Sequence, residues 1–98
     1  MTLPVVYRPE VRDEVDEAYG WYEEQRRGLG DEFLDAVQVA LNRIQENPYQ
    51  NAVLYREVRA GLVRRFPYVV YYRAESERIV VIAIQHGRRH PGRWKRRA

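Results

Sequence analysis

The chain reads as an α+β domain of order β-α-α-β-β-β, a helical hairpin packed on one face of a small antiparallel sheet. Three observations predict it. Apolar residues between Val11 and Ile44 recur at helical offsets, the period shortens to that of strands from Tyr55 onward, and Ile79 to Ile84 is apolar without a break. Ninety-eight residues with 45% hydrophobic content suffice for a single core, so residues 1–98 are read as one domain with a basic tail from about residue 87.

The first strand spans Leu3 to Tyr7 and is stopped by Arg8 and Pro9. Proline at a first helical turn sacrifices no hydrogen bond, and Glu10, Asp13 and Glu14 follow where negative charge meets the positive end of the helix dipole. Val11, Val15, Ala18, Tyr19 and Tyr22 form one apolar stripe, while the acidic residues are read as dipole partners and a solvated face. Gly28, Leu29 and Gly30 break this helix. Asp31 is the expected N-cap of a second one, whose stripe Phe33, Leu34, Val37, Ala40, Leu41 and Ile44 runs until Asn47 and Pro48.

Tyr55 to Arg65 is read as a strand with a bulge or bend at Ala60 and Gly61, followed by a turn at Phe66 and Pro67. Tyr68 to Tyr72 is rich in aromatic and β-branched residues and forms the next strand. Glu75, Ser76 and Glu77 make a polar turn. The unbroken run Ile79 to Ile84 implies a central strand covered on both faces. The helices cover one of them. The other needs the tail around Trp94, or a partner that supplies the missing layer.

Charge is divided along the chain. Residues 1–57 hold six arginines against twelve carboxylates, a net of −6, and residues 58–98 hold eleven cations against two carboxylates, a net of +9. The basic end closes on His86, Gly87, Arg88, Arg89, His90, Pro91, Gly92, Arg93, Trp94, Lys95, Arg96 and Arg97. Such a surface draws polyanions or acidic protein segments. Sixteen of the seventeen cations are Arg, the side chain suited to bidentate recognition of phosphate or carboxylate. The absence of cysteine excludes disulfides and thiolate chemistry and fits the cytoplasm, and no apolar run approaches the ~20 residues that span a bilayer. No membrane partner is expected.

The ordered set Pro9-Glu10-Val11-Arg12-Asp13, Trp21-Tyr22-Glu23, Leu29-Gly30 with Phe33 and Leu34, Pro48, Arg65-Phe66-Pro67-Tyr68, Tyr71-Tyr72-Arg73 and His86-Gly87-Arg88-Arg89 with Pro91 and Trp94 resembles the ParE branch of the RelE/ParE toxins of bacterial type II toxin-antitoxin systems. The resemblance covers nearly the whole chain. It implies a toxin held inactive by a cognate antitoxin, as a heterodimer or heterotetramer, whose C-terminal segment wraps it with a helix and an added strand. It also implies DNA gyrase as the target, with ribosome-bound mRNA, cut without metal by the RelE-like members, as the alternative.

Aligned on its aromatic residues, the strand after Phe66-Pro67 places Val69 where a RelE-like ribonuclease carries a catalytic Arg, and valine cannot stabilise phosphorane charge. The chain is therefore read as a non-enzymatic inhibitor. If it were a ribonuclease, His86 with Arg65, Arg73, Arg88 and Arg89 would supply a base and cations. Arg88, Arg89, Arg93 and Trp94 are the expected target-binding residues, and Trp21, Tyr22 and Tyr55 the expected antitoxin contacts. His86 and His90 are four apart, but Gly87 and Pro91 oppose the helix that would align them on a metal. No metal and no cofactor is expected.

Overall fold

Helix α1 (Glu10–Gln25) and helix α2 (Leu29–Glu46) form where the apolar stripes predict, and a computed structural model describes residues 2–89 and 92–98 of the chain. The buried positions Val11, Ala18 and Tyr22 of α1 and Phe33, Val37, Ala40, Leu41 and Ile44 of α2 face the same core. Asp31 is not the N-cap of α2. The helix starts two residues earlier, because Glu23 of α1 reaches across and its Oε1 accepts from the Gly28 and Gly30 amides at 2.9 and 2.8 Å. A carboxylate borrowed from the neighbouring helix thus satisfies amides that the first turn leaves without partners. Gly30 is the residue that permits this closeness, since a Cβ there would lie 2.7 Å from the Tyr19 ring.

Strands β1 (Val5–Tyr7), β2 (Val53–Tyr55), β3 (Val58–Leu62), β4 (Tyr68–Ala74) and β5 (Ile79–His86) make one five-stranded sheet of order β1-β5-β4-β3-β2. It is mixed, because β1 runs parallel to β5 and every other pairing is antiparallel. The single strand expected from Tyr55 to Arg65 is instead a hairpin, turning at Arg56 with a positive φ of 52°. Ala60 and Gly61 stay in register opposite Tyr71 and Val70, so no bulge occurs there. Gly61 is small because Ile44 of α2 packs onto it, its Cδ1 lying 2.9 Å from where a Cβ would be. Irregularities fall elsewhere, one in β2 between Val53 and Tyr55 and one in β5, where pairing passes from Tyr71↔Ala83 to Tyr72↔Val81 and leaves Ile82 as an extra residue.

That bulge redistributes the apolar run. Ile79, Val81 and Ile84 face the helices, whereas Val80, Ile82 and Ala83 face the opposite side. The helix-side core is centred on Tyr22, Phe33, Phe66 and Tyr68, whose rings meet at tilted and edge-to-face angles with centroids 5.0 to 6.1 Å apart. The second face is closed by the chain itself. Trp94, on a short 3-10 helix η1 (Arg93–Arg97), stacks on Tyr71 at 4.4 Å and 15°, meets Tyr55 at 6.0 Å, and is 6% exposed. Of the two covers open to the sequence, the tail is the one used, although Leu62, opposite Val69 on this face, stays 71% exposed.

Candidate functional site

At the C-terminal end of β5, the strand, α1 and the tail enclose a cleft of about 190 Å³ lined by Glu14, Glu17, Trp21, Tyr68, Gln85, His86, Arg89 and Arg93 among others. Each element delivers its residues for a local reason. Trp21 lies three residues after the buried Ala18 and is turned partly outward, 47% exposed. Arg89 is placed beside it, its guanidinium 5.9 Å from the Trp21 ring, within reach of a cation–π contact. His86 is opposite Tyr68 in the β4–β5 pairing, ring centroids 5.7 Å apart.

The loop after β5 is tied at its root. The Gly87 amide donates to the Pro67 carbonyl at 2.8 Å, and the Arg88 amide donates to His86 Nδ1 at 3.1 Å. Nδ1 is therefore an acceptor, which holds the ring in its neutral form with the proton on Nε2. Loss of hydration and then the charges of Arg89 and Arg88 lower the His86 pKa below its ordinary value. Burial raises the pKa of Tyr68, with Arg89 opposing. A protonated phenol and a neutral imidazole thus line a rim whose exposed cations are Arg88, Arg89 and Arg93.

Beneath the cleft lies a network that the helical pattern did not reveal. Glu14, read as a solvated dipole partner, is an inward residue, its side chain 18% exposed. Its Oε1 accepts from the Ile84 amide at 3.1 Å and its Oε2 from the Gln85 side-chain amide at 2.7 Å. Arg97 approaches the same Oε2 at 2.9 Å and Glu10 at 3.6 Å, and also donates to the Ile82 carbonyl at 3.2 Å. Glu10 and Glu14 are four apart at the start of α1, and that spacing was the available signal for a shared face on which one cation meets both. Gln85 Oε1 is buried and has no hydrogen-bond partner among the described residues.

The site residues expected from the sequence are only partly brought together. Arg88, Arg89 and Arg93 are exposed at the cleft end, but Trp94 faces away into the second core. Its role is to hold the tail down; it presents little surface to a target. Of the three residues expected to meet an antitoxin, Trp21 is at the cleft mouth, Tyr22 is 8% exposed inside the helix-side core, and Tyr55 lies against Trp94 on the other face, so they form no common surface. Arg65 sits near α2, 3.7 Å from Glu32. Arg73 is opposite Val80, six residues along β5 from His86, a separation of roughly 20 Å at strand rise. Val69 is buried on the tail side of the sheet. His90 and Pro91 lie outside the described residues.

A second concavity, about 640 Å³ and mainly apolar, runs between β1, α1 and α2, where Tyr7, Val11, Val15, Leu34, Val37 and Leu41 line it with Arg8 and Arg12 among the polar residues. Tyr7 and Leu34 are 51% and 38% exposed. Among the described residues no group of three His, Cys, Asp or Glu is placed to hold a metal ion, and no helix is long and apolar enough to cross a membrane.

Comparison with known proteins agrees with this architecture. Residues 5–91 match the family model described as ParE toxin of type II toxin-antitoxin system, parDE. Toxin ParE2 of Mycobacterium tuberculosis, in two strains, is 34% identical over 85 residues, covering 83% of this chain and 78% of that protein. A chain of the chromosomal ParDE TA system from P. aeruginosa superposes with a TM-score of 0.66 at 19% identity, over 87% of this chain and 96% of that one, a likeness of fold. With the family model spanning most of its length and a homologue at this identity, the chain belongs to the ParE toxins of type II toxin-antitoxin systems.

Proposed function

We propose that this protein arrests growth by binding and poisoning DNA gyrase in the cytoplasm, and that a cognate antitoxin neutralises it. The observation that carries the target reading is the placement of exposed Arg89 and Arg93 with half-exposed Trp21 in one cleft, with exposed Arg88 adjoining Arg89 in the chain. Planar cations beside an indole make a recognition surface for carboxylate or phosphate flanked by an apolar group. The same geometry weighs against transcript cleavage. A general base and cations must converge within hydrogen-bond reach of one phosphate, whereas Arg73 is roughly 20 Å from His86 along the sheet and Val69 offers no charge.

The groove beside β1 supports the antitoxin reading. It is mainly apolar, has Arg8 and the Arg12–Asp16 pair in its lining, and borders the sheet edge whose outer strand is β1. An amphipathic helix with acidic flanks would lay its apolar face there, and an adjoining extended segment would add to the β1 edge. Purified protein in gyrase supercoiling and cleavage reactions, run beside primer extension on translated transcripts, tests the target. Trapped gyrase cleavage complexes with uncut transcripts are expected; site-specific transcript cuts with gyrase unaffected would reverse the assignment.

A further inference from the structure

We infer that Glu14 and Arg97 form a latch that positions η1 and its Arg93, and that the toxin's potency depends on this pair although Arg97 does not line the cleft and the Glu14 carboxylate is already engaged by Arg97. The inference rests on the proposed function only for the identity of the target. Strand β1 ends its pairing at Tyr7↔Val81, where the Arg8 amide still donates to the Val81 carbonyl. Beyond that point no strand among the described residues continues along this edge of β5. Two side chains take its place: Arg97 donates to the Ile82 carbonyl and Glu14 accepts from the Ile84 amide. The two are joined at 2.9 Å, with side chains only 15% and 18% exposed. Little water competes for this pair, unlike the open pairs Arg12–Asp16 and Arg26–Glu32, whose side chains are 40% or more exposed.

The consequence for the basic arm follows from connectivity. Arg88 and Arg89 follow β5, where the Gly87 and Arg88 amides are pinned, and Arg93 is the first residue of η1. Helix η1 is held by Trp94 on the sheet face and by Arg97 at the β5 edge. Trp94 anchors η1 to the sheet face through Tyr71 and Tyr55, and Arg97, held by a carbonyl and two carboxylates, ties the far end of η1 to the β5 edge, so that together they set the place of Arg93 at the cleft. Holding a binding group in its bound geometry beforehand removes the ordering cost at association.

The test compares Arg97→Ala, Arg97→Lys, Glu14→Gln and the double variant Arg97→Ala/Glu14→Gln, with Tyr72→Phe as a control that weakens the sheet far from the arm. Gyrase inhibition, growth arrest, melting temperature and amide exchange at Lys95 and Ala98 are measured well below every melting point. Arg97→Ala is expected to inhibit gyrase about tenfold less and to exchange those amides at least tenfold faster, the size of one lost charge-assisted bond. The double variant should lose no more than Arg97→Ala, and Arg97→Lys should restore part of the potency. Tyr72→Phe should stay within about twofold of the parent despite its lower melting temperature. Unchanged potency in Arg97→Ala, additive losses in the double variant, or an equal loss in Tyr72→Phe would each overturn the latch. If the parent arrests growth while leaving gyrase untouched, the target reading fails alone, and the same comparisons are scored on growth arrest.

Discussion

The Glu14 carboxylate accepts a hydrogen bond from the Ile84 backbone amide at 3.1 Å, joining the first helix to the central strand across 70 positions of sequence. The bond fills a place that a longer β1 would otherwise occupy, so a side chain completes a sheet edge. Its removal should be felt in stability. Glu14→Ala leaves the Ile84 amide without its acceptor and removes one of the partners of Arg97 in a poorly hydrated place, and should lower the unfolding free energy by about 1–3 kcal/mol, measured by urea titration.

Trp94 should matter to folding more than to contact with a target. Truncation to Ala removes the ring stacked on Tyr71 and uncovers Val80, Ile82 and Ala83. A loss of about 3 kcal/mol is expected, a fall in melting temperature of roughly 10–20 °C for a domain of this size. Binding of a hydrophobic dye to the folded variant would report the opened face. A variant as stable as the parent would show that the tail is not a structural layer.

Arg88 and Arg89 should behave in the opposite way. Both are exposed, and the contacts of Arg89 are with the surface ring of Trp21. Replacing both with Ala should change stability by less than about 0.5 kcal/mol, while growth inhibition falls steeply. Full toxicity in the double variant would remove the arm from the target surface.

The hydroxyl of Tyr72 donates to the Pro48 carbonyl at 2.8 Å and accepts from the Asn51 side chain at 3.1 Å, in a ring with no solvent exposure. Tyr72→Phe keeps the ring and strands both partners. A loss of about 1–2 kcal/mol is expected, checked by chemical denaturation with an unchanged m-value.

His86 should resist protonation. Its pKa is lowered, first by lost hydration and then by Arg89 and Arg88, so the unfolded chain takes up a proton before the folded one does. The contribution of this group to stability is therefore full above the ordinary value of 6.5 and declines as pH falls below it. Imidazole shifts in NMR should titrate below 6.5, and the Arg88 amide resonance should move with them as Nδ1 ceases to accept. A titration at or above the ordinary value would contradict this geometry.

The sequence by itself determined both helices, the starts of the strands at Tyr68 and Ile79, though each runs two residues beyond its expected end, and the concentration of cations after His86. It could do so because periodicity and net charge are properties of neighbours along the chain. The tertiary structure alone decided what depended on residues far apart in sequence. It placed Glu23 as the cap of α2, made Gly61 the seat of Ile44, and moved the bulge to Ile82. It also turned Trp94 inward while leaving Trp21 beside Arg89. Tyr22 and Trp21 are adjacent in sequence and alike in composition, yet one is core and the other is surface, because only the packing of α1 against Phe33, Phe66 and Tyr68 selects which ring is buried. Side-chain type states what a residue can bind, and the fold states what is within reach.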